Sequence, residues 1–235
     1  MIAAQIKREL GKLKNKEKAA IYARFFKTGK GEYGEGDKFF GLTTPQTQEI
    51  AKANYKEARL KDIQELLKDE VHECRSCALG MLKRQYVKSS EQEKKKVVKF
   101  YIKNARRINN WDLVDMSALY ILGDWLLTRP EEKKIIYDFA KSDNLWERRI
   151  AMLSTFAFIR QNQFDDTLKL SMILLYDKHD LIHKAAGWML REVGKRDQEV
   201  LEDFLGRFSK MMPRTMLRYS IEKLSEKKRK IYMKK

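Results

Sequence analysis

Apolar residues recur along the chain at the 3.6-residue spacing of amphipathic helices, and no segment alternates convincingly as a half-buried strand would. Proline (3 residues) and glycine (11 residues) are scarce, which disfavours turn-rich sandwiches and barrels. The sequence therefore predicts an all-α fold. The predicted helices cover residues 2–13, 17–27, 45–58, 60–68, 71–87, 90–107, 110–127, 130–141, 145–160, 163–176, 179–194, 197–209 and 213–232.

Four helical segments resemble one another and begin at intervals of about 36 to 38 residues. They are HECRSCALGMLKR (72–84), NWDLVDMSALYIL (110–122), WERRIAMLSTFAF (146–158) and IHKAAGWMLREVG (182–194). A period of this length with two helices per unit indicates an α-solenoid, in which equivalent helices line one curved surface. We expect one domain over residues 1–235, with a basic C-terminal helix at about 213–235.

Local signals mark where helices begin and where they are interrupted. Thr44 and Pro45 read as an N-cap followed by Pro at the first helical position, and Pro130 begins another helix. The glycine-rich segment 28–42 lacks the order of a phosphate-binding loop and does not follow a strand, so it is interpreted as a flexible surface connection.

The chain carries 50 Lys and Arg against 33 Asp and Glu, a formal net charge of +17. With 43% hydrophobic residues it can bury a core, which excludes disorder for most of its length. The charge indicates either a polyanionic partner or a solubilising surface, and its spread through periodic segments favours a folded basic face. Since neither a signal peptide nor a transmembrane segment is evident, a cytoplasmic protein is expected. Cys74 and Cys77 are interpreted as packed or partly exposed thiols rather than zinc ligands.

One acidic residue breaks the repeat pattern. Leu79, Asp115, Met152 and Trp188 occupy nearly equivalent positions, and only Asp115 is not large and apolar. It lies one turn after Trp111, on the same helix face. A salt bridge to an arginine of the next repeat is the structural alternative for Asp115, whereas the nearby Asp112 suits the helix N-terminal dipole.

Two further segments place basic and aromatic residues at helical spacing. Arg148 and Arg149 follow a helix start closely, where an arginine is a plausible phosphate ligand, although for Arg148 extension into solvent is favoured. The small residues 185–187 precede Trp188, and Arg191 follows it. They would let a backbone or a ligand approach the indole, although a core position is the usual role of a lone Trp.

The segments NNWDLVDMSALYILGD, SDNLWERRIAM and IHKAAGWMLRE resemble the three central motifs of the AlkD-like DNA alkylation repair family, which are HEAT-like-repeat DNA glycosylases. ARFF, KFFGLTTPQTQEIAK and HECRSCALGMLKR are also similar to that family, so the resemblance runs from about residue 20 to 225. It implies a solenoid of HEAT-like antiparallel helix pairs with a concave basic face. Asn110, Thr43 and the longer glycine-rich loop depart from the family pattern.

The resemblance also implies the site residues. The implied catalytic set is Asp115 as catalytic aspartate with Trp111 and Trp188 flanking the lesion, and the implied DNA contacts are Arg149, Arg191, Arg148 and Lys184.

The implied activity is excision of positively charged alkylated purines, such as 3-methyladenine and 7-methylguanine, from duplex DNA. The carboxylate would stabilise positive charge that grows on the deoxyribose. No metal or organic cofactor is implied, no deep base pocket is expected, and the protein is expected to act as a monomer without a membrane, associated with the nucleoid when bound to DNA. Two alternatives stay open: a non-catalytic relative that binds branched or distorted DNA, and a protein-interaction solenoid.

Overall fold

The computed structural model describes residues 2–234. The chain forms two compact units, of which the first ends at Ser117 and the second begins at Ala118, so the expected single domain stays a prediction. Over the described residues both units are helical and contain no β-strand, with one isolated parallel bridge between Lys38 and Val71. The prediction of an all-α fold is confirmed. No helix in this part of the chain is long and apolar enough to cross a membrane.

The first unit is built around one buried helix. Its helices are α1 (Ile2–Lys12), α2 (Lys16–Phe25), α3 (Thr44–Asn54), α4 (Leu60–Leu67), α5 (His72–Lys88), α6 (Glu91–Lys103) and α7 (Trp111–Asp115), with a 3₁₀ turn at Ala105–Arg107. Helix α5 packs against α3, α4 and α7 and buries residues on all its faces, including Leu79 and Leu82. Burial of this kind is typical of a central helix.

The second unit repeats the arrangement around α10. It contains a π-helical turn at Leu119–Gly123, α8 (Asp124–Leu127), a 3₁₀ turn at Pro130–Glu132, α9 (Lys134–Ala140), α10 (Leu145–Ile159), α11 (Asp165–Ile173), α12 (Asp180–Gly194), α13 (Gln198–Phe208), α14 (Arg214–Ser220) and α15 (Glu226–Met233). Helix α10 packs against α9 and α12, and α12 packs against α14. These contacts bury the apolar stripes that the sequence pattern predicts.

Several predicted helices have other bounds in the structure. The helix predicted over 130–141 is a 3₁₀ turn at Pro130–Glu132 followed by α9. The helix predicted over 110–127 is divided into α7, the π-helical turn and α8. The predicted C-terminal helix, 213–232 or about 213–235, is divided into α14 and α15, and residue 235 lies outside the described residues. Helix α3 begins one residue earlier than expected, because Thr43 is its N-cap and forms a capping box with Gln46, which places Pro45 at the second helical position.

The segment 28–42 is only partly the surface connection that the sequence predicts. Its first half is largely exposed, but Asp37 and Leu42 are buried. The amide of Lys38 donates to the carbonyl of Glu70, and the amide of His72 donates back to the carbonyl of Lys38. These bonds fix the second half of the segment to the start of α5, so its interpretation as a surface loop is wrong there.

The two cysteines are packed in the core; the sequence predicts packed or partly exposed thiols. Cys74 and Cys77 lie on α5 and are fully buried free thiols. Burial raises the pKa of both thiols, and that of Cys77 to about 12. Because the reactive form is the thiolate, these side chains are part of the core rather than reactive groups.

Candidate functional site

The short helix α7 carries two of the predicted site residues, Trp111 and Asp115, one turn apart. Its N-cap is Asn110, whose side-chain oxygen accepts a hydrogen bond from the backbone N–H of Trp111 at 2.8 Å. Asn110 is fully buried, and its Nδ2 donates to Asp37 Oδ2 at 3.3 Å. The residue that departs from the family pattern therefore connects the start of α7 to the segment before α3.

A buried ion pair fixes α7 to α5. His72 Nε2 lies 2.8 Å from Asp112 Oδ2, and His72 Nδ1 lies 3.5 Å from Asp37 Oδ2. Arg75 Nη2 pairs with the other oxygen of Asp37 at 2.7 Å. Burial lowers the pKa of His72, but the charge and hydrogen bond of Asp112, with a further contribution from Asp37, outweigh burial and raise the pKa to about 9. Asp112 lies in the first turn of α7, as predicted, and also forms this ion pair.

Aromatic rings surround Trp111. Its indole stacks on Phe26 with centroids 5.3 Å apart, and Phe25 meets it edge-on at 5.9 Å. Phe26 stacks in turn on Phe39, and Phe39 on the ring of His72. These contacts form a continuous series of aromatic rings, which runs from the C-terminal end of α2 to the ion pair between α5 and α7.

Beside these rings lies a cavity of about 470 Å³, which we call the aromatic cleft. It is lined by Ile21, Tyr22, Phe25, Phe26, Phe39, Leu42, Thr44, Thr47, His72, Glu73, Ser76, Trp111 and Asp112. Two of its apolar side chains are largely exposed, Ile21 at 52% and Phe25 at 61%, so the cleft is open to solvent there. The expectation that the fold has no deep base pocket stays a prediction.

Asp115 is the last residue of α7 and is half-buried. Near it the buried hydroxyl of Tyr101 lies 2.9 Å from Ser117 Oγ. Burial raises the pKa of Tyr101, and the negative charge of Asp115 raises it further. The carboxylate of Asp115 is therefore close enough to polar core groups to act on them electrostatically.

The two consecutive arginines of α10 differ in their surroundings. The side chain of Asn144 caps the helix. Arg149 is only 5% exposed, and its Nη1 donates to the carbonyl of Leu181 at 2.8 Å. Arg148 Nε contacts Asp177 Oδ2 at 2.6 Å, and the side chain of Asp177 is only 5% exposed. The interpretation that Arg148 extends into solvent is therefore wrong.

The small residues before Trp188 have a packing role. A Cβ on Gly187 would lie 2.5 Å from the carbonyl oxygen of Met216, so α12 and α14 approach so closely that only glycine fits. The indole of Trp188 is half-buried, meets Phe156 edge-on at 5.9 Å and donates from Nε1 to Glu192. The backbone that approaches here is that of α14, and Gly187 leaves no open space for a ligand.

The remaining predicted DNA contacts also have acidic partners. Arg191 pairs through Nη1 with Glu222, whose side chain is 45% exposed. Lys184 Nζ lies 2.8 Å from Asp180 Oδ2, and both side chains are exposed by about half. These cations therefore bind carboxylates of their own unit.

The structure brings together part of the predicted site. Trp111 and Asp115 share α7 in the first unit, whereas Arg148, Arg149, Lys184, Trp188 and Arg191 belong to the second unit. The catalytic and DNA-binding roles of all seven stay predictions.

Sequence reasoning missed His72, Phe26 and Phe39 as parts of the site. The motifs ARFF and KFF contributed only to the family resemblance, and HECRSC was interpreted through its cysteines. The available signal was two pairs of adjacent aromatic residues, one just before the glycine-rich segment and one near its end, since aromatic pairs in an otherwise polar region often cluster.

The family model described as "DNA alkylation repair enzyme" matches residues 6–224. The fold is similar to that of a predicted DNA alkylation repair enzyme from Enterococcus faecalis, with a TM-score of 0.71 and 20% identity over 91% of this chain and 97% of that one. It is also similar to AlkD2 from Streptococcus mutans, with a TM-score of 0.59 and 16% identity over 89% and 99% of the two chains. At these identities the structural likenesses show the fold. The sequence has no significant match among the curated proteins.

Proposed function

Because the chain belongs to the DNA alkylation repair enzyme family, we propose that it is a DNA glycosylase. It hydrolyses the N-glycosidic bond of positively charged alkylated purines, such as 3-methyladenine and 7-methylguanine, in duplex DNA. One observation carries this proposal: Trp111 and Asp115 lie one turn apart on a short helix that buried contacts fix at its start. A helix of five residues gains little stability of its own, so its position depends on these contacts.

The proposed chemistry relies on charge that the alkylated base already carries. When the bond between C1′ and the base nitrogen breaks, its electron pair neutralises the base, and positive charge develops on the deoxyribose. The carboxylate of Asp115 stabilises this charge and orients the water that attacks C1′, as carboxylates do in glycoside hydrolysis. The indole of Trp111, one turn from Asp115, contributes about 0.5 to 2 kcal/mol through cation–π contact with the sugar.

Affinity for the duplex is assigned to cations that contact phosphates, with Arg149, Arg191, Arg148 and Lys184 as candidates. Phosphate contacts release counterions, so binding should fall steeply as the salt concentration rises. The net charge of +17 supports a polyanionic partner.

The test is base release from N-methylpurine duplex DNA by the wild type and by Asp115→Asn. We expect the substitution to lower release by about 10²- to 10³-fold, since it removes an electrostatic stabiliser of the transition state, while duplex affinity changes only a few fold. Asp138→Asn is the matched control, because Asp138 is an exposed acid of α9 that pairs with Lys134.

Two outcomes would contradict this assignment in different ways. Undiminished release by Asp115→Asn would remove Asp115 from the catalytic role. Salt-dependent binding of duplex by a wild type that releases no base would instead support the non-catalytic DNA-binding alternative.

A further inference from the structure

The basic C-terminal helix α15 lies beyond the part of the chain that the family model matches, which ends at residue 224. The helix carries four cations, at positions 227–230, and one acid, Glu226. Its position is fixed by contacts with two neighbouring helices. Lys228 Nζ lies 2.5 Å from Glu202 Oε1 on α13, and Arg214 Nη1 on α14 donates to the carbonyl of Met233 at 3.1 Å. The cations of α15 therefore have defined places on the second unit.

Helices α14 and α15 enclose a small cavity, which we call the arginine pocket. Its volume is about 210 Å³, below the range of about 300 to 1,000 Å³ that is usual for sites of small organic ligands. The size therefore suits a small group rather than a nucleobase. The pocket is lined by Arg218, Tyr219, Ile221, Glu222, Arg229 and Met233.

Two unpaired guanidinium groups face this pocket from different helices. Arg218 belongs to α14 and Arg229 to α15, and both residues are exposed. In the part of the chain that the structure describes, neither side chain has an ion-pair partner. This separates them from Arg148 and Arg191, which already bind carboxylates of the second unit.

The one acid of the pocket is already neutralised by other cations. Glu222 pairs through Oε2 with Arg191, and its Oε1 lies 3.3 Å from Lys223 Nζ. The charges of Arg218 and Arg229 therefore make the pocket positive, and it should attract an anion. Guanidinium groups suit a phosphate in particular, because their N–H donors form a planar fork that matches two phosphate oxygens.

We propose that the arginine pocket binds one backbone phosphate of duplex DNA, with Arg218 and Arg229 as its ligands. This inference rests on the proposed function for its DNA partner. It adds a contact beyond the family-matched residues and requires no pocket for the base. Glu222 lines the pocket and also pairs with Arg191, so the bound phosphate would lie beside another proposed phosphate contact of the same unit.

The first measurement is the affinity for undamaged duplex DNA at salt concentrations from about 50 to 200 mM, so that it does not depend on catalysis. Each phosphate contact adds about 0.9 to the slope of log affinity against log salt concentration. A protein with Arg218→Gln and Arg229→Gln should therefore lose about 0.9 of this slope and bind about tenfold more weakly at about 0.1 M salt.

The matched control is a protein with Arg196→Gln and Arg207→Gln. These are also exposed arginines of the second unit, and they do not line the pocket. The control loses the same net charge, so its slope should stay near that of the wild type if the pocket makes a specific contact. All four positions are exposed, and urea midpoints should confirm that both proteins fold as the wild type does.

The second measurement locates the phosphate on the DNA. Single phosphates of the duplex are ethylated, which removes their charge, and binding of each modified duplex is measured. We expect one phosphate whose ethylation weakens binding by the wild type and by the control, but not by the protein with Arg218→Gln and Arg229→Gln. Titration with inorganic phosphate shows whether the pocket takes the free ion instead.

The outcomes separate this inference from the proposed function. Equal salt slopes for the two double variants would overturn the inference, even if the wild type releases base and the glycosylase stands. The inference would also fall if inorganic phosphate bound in the pocket while the ethylation pattern stayed the same in both variants. If the wild type releases no base but the slope falls only with Arg218→Gln and Arg229→Gln, the proposed function fails and the phosphate site stands.

Discussion

Replacing Glu73 with Gln should loosen the segment that precedes α3, because one buried carboxylate accepts hydrogen bonds from three consecutive backbone N–H groups. Its Oε2 accepts from Phe40 at 3.0 Å, and its Oε1 accepts from Gly41 at 2.8 Å and from Leu42 at 3.1 Å. Glu73 is only 3% exposed, so water does not substitute for the carboxylate.

The expected loss of stability follows from these three bonds. In the Gln variant one oxygen can still accept from Gly41 and Leu42, but as a neutral group, and the amide NH₂ faces the N–H of Phe40. Leaving one buried N–H without an acceptor costs about 1 to 3 kcal/mol, and the two remaining bonds lose their charge assistance. A neutral amide is cheaper to bury, which offsets part of this loss. The net loss should be about 1 to 3 kcal/mol, the cost of the one buried N–H left without an acceptor.

Urea denaturation measures the change in the free energy of unfolding of the whole protein, and amide hydrogen exchange at residues 40–42 measures the loss of protection at the three amides. The matched control is Glu70→Gln, since the Glu70 side chain is 58% exposed and pairs with the surface Lys38. We expect the control to stay within about 0.5 kcal/mol of the wild type. Equal denaturation midpoints for the two variants, with unchanged exchange at the three amides, would refute the role assigned to Glu73.

Three other predictions concern separate parts of the molecule. Folding raises the pKa of His72 from 6.5 to about 9, so its ion pair should stabilise the protein fully below pH 6.5 and lose this effect as the pH rises through about 9. Urea denaturation midpoints across this pH range measure the contribution. In His72→Gln the midpoint should depend less on pH over the same range. Gly187→Ala should lower the free energy of unfolding by about 2 kcal/mol, because the added Cβ overpacks against α14. Gly206→Ala should raise it by about 0.5 to 1 kcal/mol in the same denaturation assay, since no atom lies within 4 Å of the added Cβ on α13. Glu222→Gln should remove the nearer of the two carboxylates that contact Arg191 and tighten duplex binding by about two- to fivefold. Unchanged affinity in a low-salt binding assay would exclude Arg191 as a phosphate contact.

Periodicity predicted the long helices well and missed the places where some of them break, such as the end of α7. Residues 116–122 are apolar almost without interruption and contain neither Pro nor Gly, so the sequence gives no local signal for an end of α7. The break has tertiary causes. Ser117 Oγ donates to the carbonyl of Leu113 at 2.6 Å and also meets the hydroxyl of Tyr101, and such back-bonding bends helices. Gly123 lies so close to the carbonyl of Ser154 that the chain must adjust there.

The repeat alignment found the site helix but not the site's surroundings. Of the four aligned positions Leu79 and Met152 are fully buried, whereas Asp115 and Trp188 are partly exposed, which agrees with the idea that these two are not core residues. Spacing on one helix is visible in a sequence. The contact between His72 and Asp112, forty residues apart, depends on how α5 and α7 pack, and no periodicity encodes it.

The ion pairs of the second unit determine how much free energy each predicted DNA contact requires, because a cation must leave its carboxylate before it binds a phosphate. The cost depends on where that carboxylate is left. The side chain of Glu222 is 45% exposed, so water can solvate it once Arg191 leaves, and Glu192, whose Oε1 lies 3.8 Å from Arg191 Nε, keeps Lys195 as a partner. Asp177 is 5% exposed, so releasing Arg148 would strand a buried charge, which is strongly unfavourable. Arg191 is therefore the better candidate for a phosphate contact, and Arg148 is better explained as a structural partner of Asp177.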